Sequence, residues 1–92
     1  MRPVVWSSRA ARNMISIRRY IQQFNPEAAK SLAKRILESV QTISEYPQIG
    51  RAGYDSRTRD FPVPGTPYLI IYMIQDATLE IVAVLHCAQI IE

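Results

Sequence analysis

Residues 68–88 read YLIIYMIQDATLEIVAVLHCA, and this stretch decides the fold. Two apolar runs, Tyr68–Gln75 and Leu79–Ala88, are separated by Asp76, Ala77 and Thr78. Runs rich in β-branched and aromatic residues on either side of a short polar turn predict a pair of antiparallel strands. Side chains alternate across a sheet. Tyr68, Ile70, Tyr72 and Ile74 should therefore share one face of the first strand, and Leu69, Ile71 and Met73 the other. In the second strand Leu79, Ile81, Ala83, Leu85 and Cys87 should oppose Glu80, Val82, Val84, His86 and Ala88. Both faces of both strands are mostly apolar, the pattern of a sheet covered on both sides.

Working back toward the N-terminus, Pro64–Pro67 is a turn, and Arg57–Val63 a strand in which Pro62 calls for an edge position or a bulge. Gln48–Ser56, with Gly50 and Gly53, reads as a loop. Ala29, Leu32, Ile36, Val40 and Ile43 recur at helical spacing, and Tyr46-Pro47 ends that helix. Asn25 can cap its start, with Pro26 at the first position and Glu27 beside the positive end of the dipole. Ala10, Met14, Ile17, Ile21 and Phe24 form an earlier helical stripe, capped by Ser7 or Ser8, with Arg12, Ser16 and Arg19 on the opposite side. Pro3–Trp6 is a short strand. The order β-α-α-β-β-β predicts an α+β domain over residues 1–92, a helical hairpin packed on a mainly antiparallel sheet.

The hairpin's short connection keeps both helices on one side of the sheet, and nothing else in the chain covers the other. A bare apolar face of that kind marks an interaction site. It points to a protein partner that lays a helix or strand across the sheet. The alternatives are that the helices straddle the sheet, or that the chain self-associates.

Composition narrows the function classes. A chain of 92 residues with 48% hydrophobic residues can bury a core of modest stability. The longest clean apolar run, Tyr68–Ile74, is far too short to span a bilayer. The lone cysteine, Cys87, cannot form an intrachain disulfide, and the first residues lack the apolar segment of a signal peptide, so the cytoplasm is the expected location. The net charge is +3, with arginines grouped at 2, 9, 12, 18 and 19 and again at 51, 57 and 59. That suits an acidic partner, nucleic acid or protein, or is simply a solvated surface.

Catalytic signals are sparse. His86 is the sole histidine and fits a structural role in an apolar strand; Cys87 beside it points to the other face, so the two do not make a catalytic pair. One histidine and one cysteine offer no metal-ligand spacing, and Gly50, Gly53 and Gly65 make no phosphate-binding loop, so no metal or cofactor is expected. Arg57 and Arg59 share a strand face with Phe61 and Val63, where their guanidinium groups either hold a phosphate or carboxylate or blunt a strand edge.

These elements, in this order, resemble the ParE toxins of the ParE/RelE toxin–antitoxin superfamily over nearly the whole chain. The matching segments are Val4-Val5-Trp6, Asn25-Pro26-Glu27-Ala28-Ala29, Tyr46-Pro47-Gln48-Ile49-Gly50-Arg51, Arg59-Asp60-Phe61-Pro62-Val63, Tyr68-Leu69-Ile70-Ile71-Tyr72 and Val84-Leu85-His86-Cys87-Ala88. The resemblance implies a toxin of a plasmid-stabilising type that inhibits DNA gyrase and is neutralised by a ParD-like antitoxin from the same operon, binding as a hetero-oligomer. Antitoxin contacts are expected at Tyr68, Ile70, Tyr72, Val82 and Val84, and target contacts at Arg51, Arg59 and Gln89. RelE-like relatives instead cut messenger RNA on the ribosome, and that alternative would use Arg57, Arg59 and His86. Two departures argue against it. Gln48 stands where RNA-cleaving relatives have a glutamate, and Leu69, not arginine, follows Tyr68. A third concerns the ending. Gln89 replaces the family's arginine and is followed by Ile90-Ile91-Glu92, which keeps open an inactive relative that only binds its antitoxin.

Overall fold

A computed structural model describes residues 2–53 and 55–89, for Gln89 the backbone only. The elements are β1 (Val4–Trp6), α1 (Ser8–Gln22), α2 (Pro26–Glu45), a turn of 3-10 helix (Pro47–Ile49), β2 (Arg51–Ala52), β3 (Thr58–Pro62), β4 (Tyr68–Ile74), β5 (Leu79–His86) and a second 3-10 turn (Cys87–Gln89). They form one sheet of order β1-β5-β4-β3-β2, antiparallel throughout except where β1 runs parallel to β5. Two helices over a mainly antiparallel sheet make this an α+β fold, as the residue pattern predicts.

The helix boundaries follow from local chemistry. Ser7 is the cap of α1, its Oγ accepting from the Ala10 amide at 3.0 Å. Asn25 caps α2 by accepting from Ala28 N at 3.1 Å, and Pro26 occupies the first turn, where its missing N–H costs nothing. Tyr46, the residue before Pro47, leaves the helical region at φ −130° and ψ 72°, which stops α2. The whole α2 stripe, Ala29, Leu32, Ile36, Val40 and Ile43, is buried. Leu32, Ile36, Val40 and Ile43 pack with Ala10, Val63, Ile70, Tyr72, Leu79, Ile81 and Val84 into one core between the helices and the sheet. Each large aliphatic side chain buried there contributes about 1.5–3 kcal/mol.

Four features depart from the sequence reading. The segment 48–56 is not all loop: Arg51 and Ala52 pair with Asp60 and Arg59 as a fifth strand. Phe24 lies beyond the end of α1 and is 73% exposed, so the stripe of that helix stops at Ile21. The final strand ends at His86, two residues early.

The fourth is a bulge in β5. Ile71 pairs with Ala83 but Tyr72 with Ile81, so Val82 has no partner on β4 and strict alternation fails there. Leu79 and Ile81 share the core face with Val84, not with Ala83 and Leu85. The reason lies at the β1 edge. β1 is over at Trp6, opposite Ile81, and α1 takes up the polar groups of β5 beyond it: Ser7 Oγ donates to Val82 O at 2.7 Å, and Asn13 Oδ1 accepts from Val84 N at 3.1 Å. Pro62 sits where its missing donor does no harm. Val63 N bonds Tyr68 O, so the Pro62 nitrogen turns to the other edge, past the end of β2.

The face of the sheet opposite the helices carries Leu69, Ile71, Met73, Ala83 and Leu85. It is less bare than expected: Leu69 and Ala83 are buried and Ile71, Met73 and Leu85 half-buried. The strongly exposed large apolar residues are Val5, Ile15, Tyr20, Phe24, Leu37, Tyr46 and Ile49, mostly on the helical layer and its loops.

Candidate functional site

The most highly organised polar cluster forms where the chain leaves α2 and enters β2. The Tyr72 ring comes up from the middle of β4, fully buried, and its hydroxyl meets the 3-10 turn. It donates to Pro47 O at 2.7 Å and accepts from Gly50 N at 2.9 Å. Burial pushes its pKa above the ordinary tyrosine value, with the Gly50 amide and then Arg59 pulling the other way. Gly50 is required for space, not for its backbone angles, because a Cβ there would lie 2.6 Å from the Tyr72 hydroxyl. Arg59, the β3 partner of Tyr72, donates to Gly50 O at 2.9 Å and to the side-chain carbonyl of Gln48. The loop 47–50 is thus fastened from below by a phenol and from the side by a guanidinium.

Beside it lies a cleft of about 310 Å³ lined by Gln48, Ala52, Ser56, Arg57, Thr58, Arg59 and Ile74. Arg57 turns to Asp55, with Nη2 2.9 Å from Oδ2. The Arg57 guanidinium and backbone amide hold the Asp55 carboxyl down at about 2. On the opposite face of β3, Asp60 has one buried oxygen without a hydrogen-bond partner. Burial raises its pKa, and the charge of Arg51 opposes that.

The expected ribonuclease set does not converge. His86 pairs with Tyr68, four residues along β4 from the Tyr72 that pairs with Arg59. Four residues of strand are about 13 Å and two strand spacings about 10 Å, so His86 and Arg59 stand roughly 16 Å apart. The imidazole packs edge-on against the Tyr68 ring, centroids 5.3 Å apart, and its Nδ1 accepts from Ala88 N at 3.0 Å. It lines a different hollow, with Tyr20, Leu32, Arg35 and Tyr68. Among the described residues, no group of three His, Cys, Asp or Glu side chains gathers as a metal site.

Of the residues expected to meet an antitoxin, Ile70, Tyr72 and Val84 are core residues under the helices, with no surface to offer while the domain is folded. Tyr68 and Val82 are half-buried and keep some. Among the expected target contacts, Arg51 is exposed on the edge strand, on the Asp60 side of the sheet, and Arg59 is on the other side. Gln89 follows the end of β5, three strands from Arg51, and its side chain lies outside the described residues, as do Ile90, Ile91 and Glu92. What residue patterns alone missed is the role of the Tyr72 hydroxyl. The available signal was the Tyr46-Pro47 stop followed by Gly50, which forces a tight return of the chain over the sheet.

Residues 4–91 match the family described as ParE toxin of type II toxin–antitoxin system, parDE. This chain belongs to that family. It is similar to toxin RelE2 of Caulobacter vibrioides, 37% identical over 90 residues that cover 98% of this chain and all of that protein. It is also 37% identical over 84 residues to the Y4kP protein of Sinorhizobium fredii, covering 91% of this chain and 86% of that one. In fold it matches a chain of the chromosomal ParDE system from P. aeruginosa with a TM-score of 0.86 at 18% identity, over 94% of this chain and 96% of the other. The ParE-family chain thus shares its fold with that relative at low sequence identity.

Proposed function

We propose that this ParE-family chain is a cytoplasmic toxin that acts by binding DNA gyrase, and that a ParD-like antitoxin holds it inactive. The observation that carries the reading is the separation of Arg57 and Arg59 from His86, together with a glutamine at position 48. RNA cleavage by internal attack needs one group to take a proton from the 2′-hydroxyl and another to return one to the leaving oxygen, and a positioned pair supplies about 10²–10⁴-fold in rate. Arginine stays protonated and cannot serve as the base. Gln48 carries no titratable group, and Arg59 already engages its side-chain oxygen. His86 sits in a separate hollow, against the Tyr68 ring. The cluster is better suited to presenting a rigid, cationic surface: Arg59 and the loop 47–50 on one face of the sheet, Arg51 on its edge. Target contacts through Arg51, Arg59 and Gln89, and antitoxin contacts through Tyr68 and Val82, belong to this proposal.

The test is to induce the chain in cells with and without the product of the neighbouring reading frame. DNA breaks, a damage response and filamentous cells, all suppressed by co-expression of the neighbour, are the expected result. Codon-linked cleavage of messenger RNA, lost in His86→Ala, would establish the ribonuclease reading instead, which the cationic cleft at Arg57 and Arg59 and the name of the Caulobacter relative favour. Absence of both phenotypes would mark an inactive relative.

A further inference from the structure

The outer face of α1 has a composition that neither the fold nor the gyrase reading uses. Over Ser8–Gln22 the helix carries Arg9, Arg12, Arg18 and Arg19 and not one carboxylate. All four arginines are exposed. Among the described residues none of them makes an ion pair or a side-chain hydrogen bond. Arg9, Arg12, Ser16 and Arg19 succeed one another at intervals of three, four and three. They therefore form one stripe, on the side turned away from Ala10, Met14, Ile17 and Ile21. The stripe runs about 15 Å along the helix axis. At its C-terminal end two aromatic rings stand in water: Tyr20 is 64% and Phe24 73% exposed, packed edge-to-face with centroids 5.4 Å apart.

We propose that this face binds single-stranded nucleic acid, the phosphate backbone lying along Arg9, Arg12 and Arg19 and a base stacking on the Tyr20–Phe24 pair. A run of cations beside exposed aromatic rings is the arrangement that single-strand binders use, since phosphates are common to every sequence and every base has a face to stack. Guanidinium groups suit phosphate oxygens through paired N–H donors. An acidic protein segment would also be drawn to the charge. Protein interfaces, however, centre on several apolar anchors with charges at the rim, and between Arg9 and Arg19 the side chains beside the cations are Ser16 and a single exposed apolar one, Ile15. The aromatic pair at one end, not the middle, fits a strand that enters along the cations and ends in a stack. This inference stands on α1 and the Phe24 that follows it, and is independent of whether gyrase is the target.

The test is fluorescence anisotropy with the purified full chain and four probes: a labelled 12-mer of oligothymidylate, the same length of oligouridylate, a 12-base-pair duplex, and a polyglutamate peptide. Single strands should bind best, with log K falling against log salt at a slope of about −2, the value for three phosphates on a single strand. Replacing the stripe (Arg9→Gln, Arg12→Gln, Arg19→Gln) should flatten the slope toward zero and weaken binding by tenfold or more. Tyr20→Ala with Phe24→Ala should weaken it by about tenfold and leave the slope unchanged. Lys30→Gln with Lys34→Gln on α2 should change little. Equal affinity for both oligonucleotides assigns recognition to phosphate and base stacking, and preference for one names DNA or RNA as the source; both support the proposal. Polyglutamate binding as tight as the oligonucleotides, binding confined to the duplex, or affinity unchanged in both sets of variants overturns it. Melting curves within a few degrees of the parent chain confirm that the variants are folded.

Discussion

Two sets of arginines divide this molecule. Arg57 and Arg59, at the start of β3, are tied down: one to Asp55, the other to Gly50 and Gln48. Arg9, Arg12, Arg18 and Arg19, on α1, touch no partner within the described chain. In the first set, Arg59 fastens a loop braced from the core by Tyr72, and Arg57 is held at the surface by its neighbour Asp55. The second is held only by its helix, so whatever it does depends on what it meets. Pre-ordered groups cost stability when disturbed, and solvated ones do not. The two sets should therefore separate in experiments on folding and on binding.

The largest effect should come from the strut beneath the tied set. Tyr72→Ala removes a fully buried ring and should cost about 3–5 kcal/mol. For a domain of this size that lowers the Tm by at least about 12 °C. Tyr72→Phe keeps the ring but leaves Pro47 O and Gly50 N without their partner, at about 1–3 kcal/mol. A melting curve separates the two, and parent-like stability in Tyr72→Phe would show that the loop is not held by the phenol. Smaller is the cost of Ser7→Ala, about 1 kcal/mol from the lost cap. Because the same hydroxyl reaches Val82 O, this variant should also raise amide exchange across the β5 bulge.

How far these features were legible in sequence varies with their range along the chain. The α2 stripe and its Asn25 cap are readable because twenty consecutive residues repeat one local rule. The strand β2 is not, since two residues carry no period and are recruited only by Asp60 and Arg59. The bulge at Val82 is equally hidden: what stabilises it is Ser7 and Asn13, about seventy positions away. That bulge is why Val84 faces the core and why an alternation count misassigns half of β5. Tyr72 could be singled out as important from sequence, but as a surface anchor. Its burial and its two hydrogen bonds to residues 47 and 50 depend on the path of the loop above it.

Two carboxylates near the tied arginines should respond to pH in opposite senses. Asp55 has its pKa depressed to about 2 by Arg57. Its contribution is present above the unfolded value near 3.8 and is lost as pH falls toward 2. Asp60 has its pKa raised by burial, so its ionised form is penalised in the folded state and stability recovers as pH falls through that raised value. Asp60→Asn should therefore stabilise the domain slightly at pH 7 and remove that recovery, whereas Asp55→Asn should remove the loss at low pH. The smallest effect belongs to the free set: Arg9→Gln, Arg12→Gln and Arg19→Gln should each leave stability within about 0.5 kcal/mol. A larger loss in any of them would mean that α1 depends on a partner within the chain.

The proposal that this ParE-family chain works by binding gyrase is checked by a reconstituted gyrase reaction. Purified chain is added to gyrase, relaxed plasmid and ATP, and in parallel to a translating ribosome system without gyrase. Loss of supercoiling and accumulation of cleaved plasmid are expected in the first, reversed by stoichiometric antitoxin, and intact messenger RNA in the second. Unimpaired gyrase together with messenger RNA cut at ribosome-bound codons would contradict it.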